Sequence, residues 1–567
     1  MNSVGNTTLD SVHVLLEMRN VLVDAPCPES RKWNRIVDGV SLALERGEVL
    51  GIIGESGAGK STVGLASLAF GRGGTRISGG EIRFKGVNLR TLSLHELRII
   101  RGSKVAYVSQ SAAAAFNPAH RLIDQVIETT VIKNIMSRKD AKQRALELFE
   151  ALKLSDAHSL GQRYPHQLSG GQLQRVMTAM ALCPKPDLIV FDEPTTALDV
   201  TTQIDVLAAI KDTIRAEGTA ALYISHDLAL VAQIADRILV LRDGKFVETG
   251  STREIIERPQ ENYTSQLVSV KPIEVPLGLP SSEECLTLNV EHVTAAYRFG
   301  RNVLSDISLA VARGRTLAIV GESGSGKSSF ARVIAGLLPP SSGEIKFLGH
   351  ILPPAWRDRT REQLRQIQLV YQSPDAAMNP RQTVEQIIGR PLSFYHGARG
   401  AVRRTRVIEL LRLVEMGEHF LSRRPSDLSG GQKQRVCIAR ALAAEPELLI
   451  CDEITAALDP LVAEEVLKMM LRLQKQTVLS FVFITHDISI VRAIADSVAV
   501  MHNGSIVRYG QKIDVLSPPY DAYTEVLLES VPEMRVGWLD EKLAGRDHIL
   551  SKISGGTNAV TVGMSPS

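Results

Sequence analysis

Short uninterrupted runs of apolar residues recur along the chain, separated by longer segments in which apolar residues return every three or four positions. The clearest runs are Val49–Ile53, Leu188–Phe191, Thr316–Val320 and Leu448–Cys451. Runs of this length indicate β-strands that are buried on both faces, as in a parallel sheet. They are far shorter than the roughly 20 residues that cross a membrane, so we expect no membrane-spanning segment.

Segments with helical periodicity lie between the strand-like runs. The predicted helices are Thr62–Ala69, Arg138–Leu152, Gln172–Cys183, Ser329–Leu337, Ala401–Val414 and Gln432–Ala444. Because strands and helices alternate, the pattern predicts an α/β fold with a mostly parallel core sheet.

The same series of motifs occurs twice in the same order. GESGAGKST at Gly54–Thr62 returns as GESGSGKSS at Gly321–Ser329, and LSGGQ at Leu168–Gln172 returns at Leu428–Gln432. The lysines of the two glycine-rich loops are 267 residues apart. The serines of LSGGQ, the aspartates that follow LIVF and LLIC, and the histidines of ISHD and ITHD are each 260 residues apart. Several unrelated motifs that keep one order and nearly one spacing indicate a duplicated domain.

We therefore predict two homologous domains, over residues 13–269 and 285–532. Residues 270–284 are rich in proline, serine and acidic residues and are predicted to form a short, extended linker. Residues 533–567, which end in GGTNAVTVGMSPS, are predicted to be a mobile tail. A length of 567 residues agrees with at least two domains.

Charge and cysteine content narrow the class of protein. A formal net charge of +3 over 567 residues gives no support for a nucleic-acid binder. The cysteines are scattered, with no CxxC pair and no metal-ligand spacing, which is typical of reduced thiols in a cytosolic protein. They are Cys27, Cys183, Cys285, Cys437 and Cys451. The first residues lack the basic and apolar regions of a secretory signal.

Each glycine-rich loop lies between a predicted strand and a predicted helix, the context that the pattern GxxxxGK[ST] requires. Glycines allow consecutive backbone N–H groups to turn toward one anion, and the helix N-terminus adds the positive end of its dipole. We therefore predict that both loops bind nucleotide phosphates, with the lysine near the β- and γ-phosphates and the next serine on Mg²⁺. The loop residues are Gly54, Glu55, Ser56, Gly57, Ala58, Gly59, Lys60, Ser61 and Thr62, and Gly321, Glu322, Ser323, Gly324, Ser325, Gly326, Lys327, Ser328 and Ser329.

An acidic pair ends one apolar run in each half. Asp192 and Asp452 are predicted to bind Mg²⁺, usually through water, because a strand end holds a carboxylate rigidly. Glu193 and Glu453 follow directly and are predicted to polarise the attacking water. An acidic pair alone is weak evidence for a catalytic Mg²⁺ site, but the phosphate loop that precedes each pair strengthens this interpretation.

With these motifs the chain resembles a tandem ATP-binding-cassette (ABC) ATPase over nearly all of residues 13–530. In that family the LSGGQ signature of one cassette caps the ATP held by the phosphate loop of the other. A serine followed by two glycines that start a helix is also a ready anion site. The resemblance assigns this role to Ser169, Gly170, Gly171, Gln172, Ser429, Gly430, Gly431 and Gln432.

The resemblance assigns further residues by their order along the chain. Gln110 and Gln372 resemble the glutamine that touches Mg²⁺ and water and senses the permease. His226 and His486, each 34 residues past the Mg²⁺ aspartate, resemble the histidine that senses the γ-phosphate. The loop that crosses to the opposite cassette is matched by Asp199 and Asp459.

The adenine-stacking aromatic residue of the family is matched by Tyr297 in the second half. In the first half the same alignment lands on Ala25, and Trp33, after about five extra residues, is the candidate. The second half reads DEIT where the first reads DEPT, which puts Ile454 at the place of Pro194. That change removes no charged or phosphate-binding group, so we expect neither site to be degenerate.

For the fold, the resemblance implies two P-loop NTPase domains. Each would have a mostly parallel core sheet, an antiparallel β subdomain and a helical subdomain that carries LSGGQ. For the activity, it implies Mg²⁺-dependent hydrolysis of ATP at two sites. One chain would form an intramolecular pair of cassettes and serve one transporter.

Two cassettes in one chain without membrane spans exclude the common exporter layout. The tails at Arg258–Val270 and Ser517–Pro532 resemble the proline–tyrosine–threonine tail of oligopeptide, dipeptide and nickel importer ATPases. The resemblance implies two permease subunits and an extracytoplasmic solute-binding protein as partners, and a peripheral position on the cytoplasmic face of the bacterial inner membrane. Some relatives bind an iron–sulfur cluster through cysteines in this tail, but no cysteine follows Cys451, so we expect no cluster.

Two other classes of protein with paired cassettes agree less well with the sequence. A soluble tandem cassette that acts on ribosomes as a translation factor carries a long, charged, helical arm between its cassettes, which the short linker at 270–284 does not provide. A structural pair without hydrolysis is disfavoured because both glutamates and both histidines are present. The sequence does not distinguish which solute is transported: dipeptides, longer peptides, glutathione-like peptides, nickel chelates and opines all agree with it.

Overall fold

The computed structural model describes residues 13–26, 32–154, 156–195, 198–269, 285–297, 300, 302–456, 458 and 460–544. The described residues form two compact units. The first unit takes in residues from 13 to 198, from 202 to 269 and from 532 to 544; the second takes in 199–201 and the residues from 285 to 531. The predicted linker at 270–284 lies outside the described residues, as do Cys27 and Asp459.

The first unit contains two sheets. Its strands are β1 (Val14–Pro26), β2 (Trp33–Glu45), β3 (Val49–Ile53), β4 (Arg76–Phe84), β5 (Val87–Asn88), β6 (Val105–Val108), β7 (Leu188–Asp192), β8 (Ala220–Ile224), β9 (Arg237–Arg242) and β10 (Lys245–Ser251). One sheet is antiparallel, with the order β2-β1-β4-β5. The other has the order β10-β9-β3-β8-β7-β6 and is parallel except for its edge strand β10.

Some helices cover the mostly parallel sheet. The helices that follow β6 and precede β7 along the chain form a separate group. The helices of the first unit are α1 (Lys60–Ser67), α2 (Leu94–Ile100), α3 (Ala112–Ala115), α4 (Leu122–Ile132), α5 (Arg138–Ala151), α6 (Ala157–Gly161), α7 (Gly170–Leu182), α8 (Val200–Glu217), α9 (Leu228–Ile234), α10 (Thr252–Glu257) and α11 (Asn262–Val268). Helix α7 begins within LSGGQ, so the signature lies at the start of the last helix of that group.

The second unit repeats this plan. Its strands are β11 (Leu286–Ala296), β12 (Asn302–Ala312), β13 (Thr316–Val320), β14 (Ser342–Phe347), β15 (His350–Ile351), β16 (Ile367–Val370), β17 (Leu448–Asp452), β18 (Ser480–Ile484), β19 (Ser497–His502) and β20 (Ser505–Gln511). The antiparallel sheet has the order β12-β11-β14-β15, and the mostly parallel sheet has the order β16-β17-β18-β13-β19-β20.

The helices of the second unit follow the same order along the chain. They are α12 (Lys327–Ile334), α13 (Arg361–Gln366), α14 (Pro374–Ala377), α15 (Val384–His396), α16 (Gly400–Leu413), α17 (Gly430–Leu442), α18 (Pro460–Thr477), α19 (Ile488–Ile494), α20 (Lys512–Val515) and α21 (Ala522–Glu529). Helix α17 carries the second signature. The predicted fold class, two α/β cassettes with parallel and antiparallel sheets and a helical subdomain, is confirmed.

The mostly parallel sheets place the phosphate loops and the acidic pairs at the same edge. All residues of β3 and β13 are buried, as expected for central strands that are covered on both faces. Within each sheet, the strand before the loop and the strand before the acids run parallel, separated by one strand. Parallel strands end at one edge of a sheet, so both features meet there.

Residues 533–544 differ from the predicted mobile tail. Trp538 and Leu539 are 1% and 0% exposed. The side-chain amide of Gln233 in α9 donates to the carbonyls of Glu533 and Arg535, and its oxygen accepts from the Leu539 N–H. An apolar pair in a polar, glycine-containing segment is a weak sequence signal, and only packing against the first unit gives it a buried position. The predicted tail beyond residue 544 lies outside the described residues.

The helices in the described part of the chain include none that combines the length and the apolar composition of a membrane span.

Candidate nucleotide-binding sites

The backbone of each phosphate loop requires glycine at its first position and immediately before its lysine. Gly54 has a φ of +151°, and a Cβ there would lie 2.1 Å from the carbonyl oxygen of Leu241 at the end of β9. Gly59 has a φ of +88° and caps α1 in the left-handed region. Gly321 and Gly326 adopt the same conformations in the second unit. An L-residue with a side chain would strain or block these turns, which explains the glycines.

The loop lysines are folded over their own loops. Lys60 Nζ donates to the carbonyl oxygens of Gly54 and Glu55 at 2.7 and 2.9 Å. Lys327 Nζ donates to those of Gly321 and Glu322, both at 2.7 Å. Each lysine is 5% exposed, so its ammonium group is held at the loop by fixed hydrogen bonds. Such a group is a preorganised positive charge for phosphate binding.

The serine after each lysine meets the aspartate that ends the acid-bearing strand. Ser61 Oγ donates to Asp192 Oδ1 at 2.7 Å, and Ser328 Oγ donates to Asp452 Oδ1 at 3.0 Å. Hydroxyl and carboxylate oxygens are the hard ligands that Mg²⁺ takes in proteins. Both pairs therefore fit a Mg²⁺ ion that also binds nucleotide phosphate.

The glutamate that follows is held by a glutamine and a histidine in each unit. Glu193 accepts from Gln110 Nε2 at 2.9 Å, and its other oxygen lies 3.2 Å from His226 Nδ1. Glu453 accepts from Gln372 Nε2 at 2.6 Å and lies 3.5 Å from His486 Nδ1. In each unit a glutamine and a histidine from separate parts of the sequence thus meet at one carboxylate.

Both glutamates have a left-handed backbone. The φ of Glu193 is +50° and that of Glu453 is +48°. The N–H groups of these residues donate to the carbonyls of Ile224 and Ile484, which fixes the turn. A non-glycine residue in this region costs on the order of 1 kcal/mol or more. The same conformation occurs at the matching position of both units.

Burial and neighbouring charges set the ionisation of the second site. Burial raises the pKa of Asp452, and burial lowers the pKa of Lys327 against the attraction of Glu453. Burial alone would raise the pKa of Glu453. The hydrogen bond and charge of His486 and the charge of Lys327 lower this pKa by more, so it lies below its ordinary value. Glu453 is therefore ionised at neutral pH.

In the first unit the pKa of His226 lies above its ordinary value. Burial alone would lower it, but the hydrogen bond and the charge of Glu193 outweigh burial. The histidine and the glutamate therefore stabilise each other as an ion pair when His226 is protonated.

The signature serines cap the helices that follow them. Ser169 Oγ accepts from the Gln172 N–H, and the Gln172 side chain accepts from the Ser169 N–H. Ser429 and Gln432 form the same pair of hydrogen bonds. This capping box fixes the glycines at the helix start, with their N–H groups in the first turn.

The second signature glycine allows close packing of two helices. A Cβ at Gly171 would lie 2.3 Å from Thr202 Cγ2, and one at Gly431 would lie 2.5 Å from Val462 Cγ1. Both distances are too short for real atoms, so the position requires glycine for a packing reason as well.

The two adenine-stacking candidates lie in different surroundings. Tyr297 follows β11, and its hydroxyl lies 3.3 Å from Ser329 Oγ and accepts from Arg332 at 3.0 Å, both on the phosphate-loop helix α12. Trp33 begins β2, and the guanidinium carbon of Arg76 lies 3.8 Å from its ring centroid. Both residues are about two-fifths exposed, with 42% for Tyr297 and 44% for Trp33.

Asp199 accepts a hydrogen bond of 2.8 Å from Thr201 Oγ1 at the start of α8. Its counterpart in the sequence, Asp459, lies outside the described residues.

Sequence reasoning missed three tyrosines. Tyr107 in β6 donates to Asp192 Oδ2 at 2.5 Å, and the hydroxyls of Tyr263 and Tyr523 accept from backbone N–H groups of the phosphate loops. The two tail tyrosines recur 260 residues apart, a signal that the repeat contained. Tyr107 has no such signal, because Leu369 stands at its place in β16.

Comparison with known families gives two matches. Residues 37–196 and 304–456 match the family described as "ABC transporter". Residues 507–557 match the one described as "Oligopeptide/dipeptide transporter, C-terminal region".

Comparison with known proteins gives relatives over nearly the whole chain. The "Glutathione import ATP-binding protein GsiA" of Salmonella choleraesuis (strain SC-B67) is 35% identical over 537 residues, which cover 88% of this chain and 86% of that protein. The "Uncharacterized ABC transporter ATP-binding protein YejF" of Escherichia coli (strain K12) is 35% identical over 505 residues, covering 87% of this chain and 95% of that protein. The solved structure of cbiO1 from Clostridium perfringens is 33% identical, with a TM-score of 0.37, and covers 40% of this chain and 89% of that chain.

Proposed function

The chain belongs to the ABC transporter family of ATP-hydrolysing proteins, and we propose that it is the ATPase subunit of an importer for peptides or peptide-like solutes. The observation that carries the importer assignment is the C-terminal region, which matches that of oligopeptide and dipeptide transporters. The relatives named above support it, since one is described as importing glutathione. The translation-factor alternative has no support in these comparisons.

We propose the following roles for the residues of each site. Lys60 and the backbone N–H groups of its loop bind the β- and γ-phosphates, and Ser61 and Asp192 hold Mg²⁺. When bound, Mg²⁺ neutralises charge that develops on the phosphates. Glu193 orients the attacking water and accepts its proton. Gln110 and His226 hold the carboxylate in place, and with nucleotide bound Gln110 would also touch Mg²⁺ and water, and His226 the γ-phosphate. The second site uses Lys327, Ser328, Asp452, Glu453, His486 and Gln372 in the same roles.

Adenine stacking and the capping of ATP are also proposals. Tyr297 would stack on adenine at the second site and Trp33 at the first. Following the family, each signature would complete the site of the other cassette, so that Ser429 serves Lys60 and Ser169 serves Lys327. Asp199 and Asp459 would belong to the crossing loops. Binding of two ATP molecules would then close the cassettes within one chain, and hydrolysis would release them.

The partners follow from the importer assignment. We propose two permease subunits, contacted near Gln110 and Gln372, and an extracytoplasmic solute-binding protein. The chain would lie at the cytoplasmic face of the inner membrane as a peripheral protein, and no nucleic acid would take part.

The importer assignment is tested by uptake in the source cells. We expect deletion of the gene to abolish uptake of at least one labelled solute among dipeptides, longer peptides, glutathione, nickel chelates and opines. Wild-type protein should restore uptake, and a variant with Lys60→Ala and Lys327→Ala should not. Undiminished uptake of every one of these solutes after deletion would contradict the assignment.

We also propose that the protein binds no iron–sulfur cluster. The region that matches the oligopeptide transporter family, residues 507–557, contains no cysteine. Protein prepared anaerobically should therefore lack visible absorption and contain no stoichiometric iron. A brown preparation with iron in a fixed ratio to protein would contradict this.

The two sites should differ in how firmly they hold the divalent ion. Tyr107 donates to the carboxylate oxygen of Asp192 that Ser61 leaves free, whereas Leu369 offers no hydroxyl at the second site. Hydrogen bonds to a metal-binding carboxylate orient it, and their loss typically weakens metal binding by 10-fold or more. We expect Tyr107→Phe to weaken binding of Mn²⁺, measured by electron paramagnetic resonance in the presence of ATP, roughly 10-fold at the first site.

The effect can be assigned to one site by disabling the other. In a chain that carries Lys327→Ala, only the first site binds nucleotide, and Tyr107→Phe should show its full effect. In a chain that carries Lys60→Ala, the same substitution should change nothing. Equal effects in both backgrounds, or none in either, would show that the tyrosine does not position Asp192.

A further inference from the structure

The tails introduced above, at Arg258–Val270 and Ser517–Pro532, each contain a tyrosine that contacts the phosphate loop of its own unit. Tyr263 in α11 and Tyr523 in α21 are 260 residues apart in the sequence. The N–H of Glu55 donates to the Tyr263 hydroxyl at 3.2 Å, and the N–H of Glu322 donates to the Tyr523 hydroxyl at 3.0 Å. Glu55 and Glu322 are the second residues of the two loops, so the contact is the same in both units.

Each tyrosine ring is also held from the core sheet. The guanidinium carbon of Arg242, at the end of β9, lies 4.7 Å from the Tyr263 ring centroid. The ring of His502, at the end of β19, stacks on Tyr523 with centroids 4.1 Å apart and planes at 15°. The two sheet residues differ in type but occupy equivalent positions. The duplicated halves thus place a cationic or aromatic side chain beside the tyrosine ring at the same point.

Burial around the tyrosines anchors the tails. Tyr263 is 5% exposed, and the threonines that follow the tyrosines, Thr264 and Thr524, are 0% and 1% exposed. Burial raises the pKa of Tyr523 to about 12 and raises that of Tyr263 as well. Protonated hydroxyls accept the loop N–H without bringing a negative charge near the phosphates.

The peptide between the first two loop residues is therefore fixed from both sides. The lysine ammonium binds the carbonyls of Gly54 and Glu55, and the tail tyrosine binds the Glu55 N–H. The second loop has the same arrangement around Glu322. A loop that is already ordered binds its ligand without a further cost in conformational freedom.

We propose that Tyr263 and Tyr523 are positioning residues that hold the phosphate loops in the conformation that binds ATP. The tails would then be structural parts of the ATP sites. This inference rests on the proposed function of the loops. Because an ordered loop favours bound ATP and the transition state alike, loss of the hydroxyl should act on KM and leave kcat nearly unchanged.

The test compares hydroxyl removal at the two tail tyrosines with the same change at a neighbour. Tyr263→Phe and Tyr523→Phe together, in the full chain, should raise KM for ATP and the ATP dissociation constant about 2- to 10-fold. The kcat should stay within about twofold. Tyr520→Phe is the matched control, because its hydroxyl donates to the carbonyl of Leu516 in the same tail and not to the loop.

A second measurement does not depend on turnover. Hydrogen exchange of the backbone amides of Glu55 and Glu322 should be faster in the double variant without nucleotide, since these N–H groups lose their acceptors. The melting temperatures of the double variant and of Tyr520→Phe should be similar, because each substitution keeps the ring.

Several results would overturn the inference. They are an unchanged KM in the double variant, an equal rise in KM for Tyr520→Phe, a fall in kcat at constant KM, and unchanged exchange at Glu55 and Glu322. If wild-type protein itself neither binds nor hydrolyses ATP, the proposed function fails instead, which separates the two outcomes.

Discussion

Replacement of both strand-end glutamates by glutamine, Glu193→Gln with Glu453→Gln, should reduce ATP hydrolysis by on the order of 10²-fold or more while ATP still binds. The amide keeps the size of the carboxylate but cannot accept a proton from water. The phosphate loops and the Ser–Asp pairs are unchanged, so the groups that bind nucleotide remain. Steady-state phosphate release and equilibrium binding of ATP measure the two effects separately.

The same variant also tests which cassette supplies the signature that completes each ATP site. If each signature completes the site of the other cassette, two unhydrolysed ATP molecules should hold the chain closed, and a structure with ATP should show Ser429 near the nucleotide at Lys60. Ser429→Arg should impair closure at that site and leave nucleotide docking at Lys60 largely intact. A structure in which each signature faces the nucleotide of its own cassette would refute the proposal, as would pairing only with a second chain.

A matched control lies directly before the strand that precedes one of these glutamates. Glu447 precedes β17, pairs with Arg313 at 3.6 Å, and its N–H donates to the carbonyl of Gln366. Glu447→Gln should leave hydrolysis unchanged. A loss equal to that of the double variant would mean that negative charge on the strand, rather than the placed carboxylate, supports the reaction.

Replacement of the two loop lysines, Lys60→Ala with Lys327→Ala, should abolish hydrolysis by preventing productive binding of ATP. The physical reason is twofold. The substitution removes a preorganised positive charge from each loop, and it also leaves the carbonyls of the first two loop residues without their ammonium donor. We expect a loss of activity on the order of 10²-fold or more, with a large rise in the ATP dissociation constant.

The two double variants should differ in ATP binding, and this difference separates the role of the glutamates from the role of the lysines. The glutamine variant should bind ATP and not hydrolyse it, whereas the alanine variant should do neither. Lys468→Ala provides the control for loss of a lysine, since Lys468 pairs with Glu464 on an exposed face of α18. Wild-type activity in the Lys60→Ala, Lys327→Ala variant would show that the assignment of the loops is wrong.

Local pattern was sufficient for the four apolar runs named in the sequence analysis and nearly sufficient for the six helices predicted there. Val49–Ile53 and Thr316–Val320 form strands with the predicted bounds, and every residue of both is buried, as their apolar composition favours in the centre of a mostly parallel sheet. The helix predicted at Thr62 begins at Lys60 instead. Gly59 caps it in the left-handed region, a conformation that hydrophobic periodicity cannot reveal.

The sequence by itself determined the duplicated α/β fold, the two phosphate loops, the acidic pairs and the signatures. Each of these depends on residue types at short, fixed spacing, which the backbone geometry of strands, loops and helix starts requires. Only the tertiary structure decided that Tyr107 meets Asp192, that the tail tyrosines hold the phosphate loops, and that Trp538 is buried against the first unit. Tyr107 and Asp192 are 85 residues apart, and Tyr263 and Glu55 are 208 apart. Such contacts form because strands, helices and loops that are distant in the sequence become neighbours in the folded unit, so no local pattern carries them.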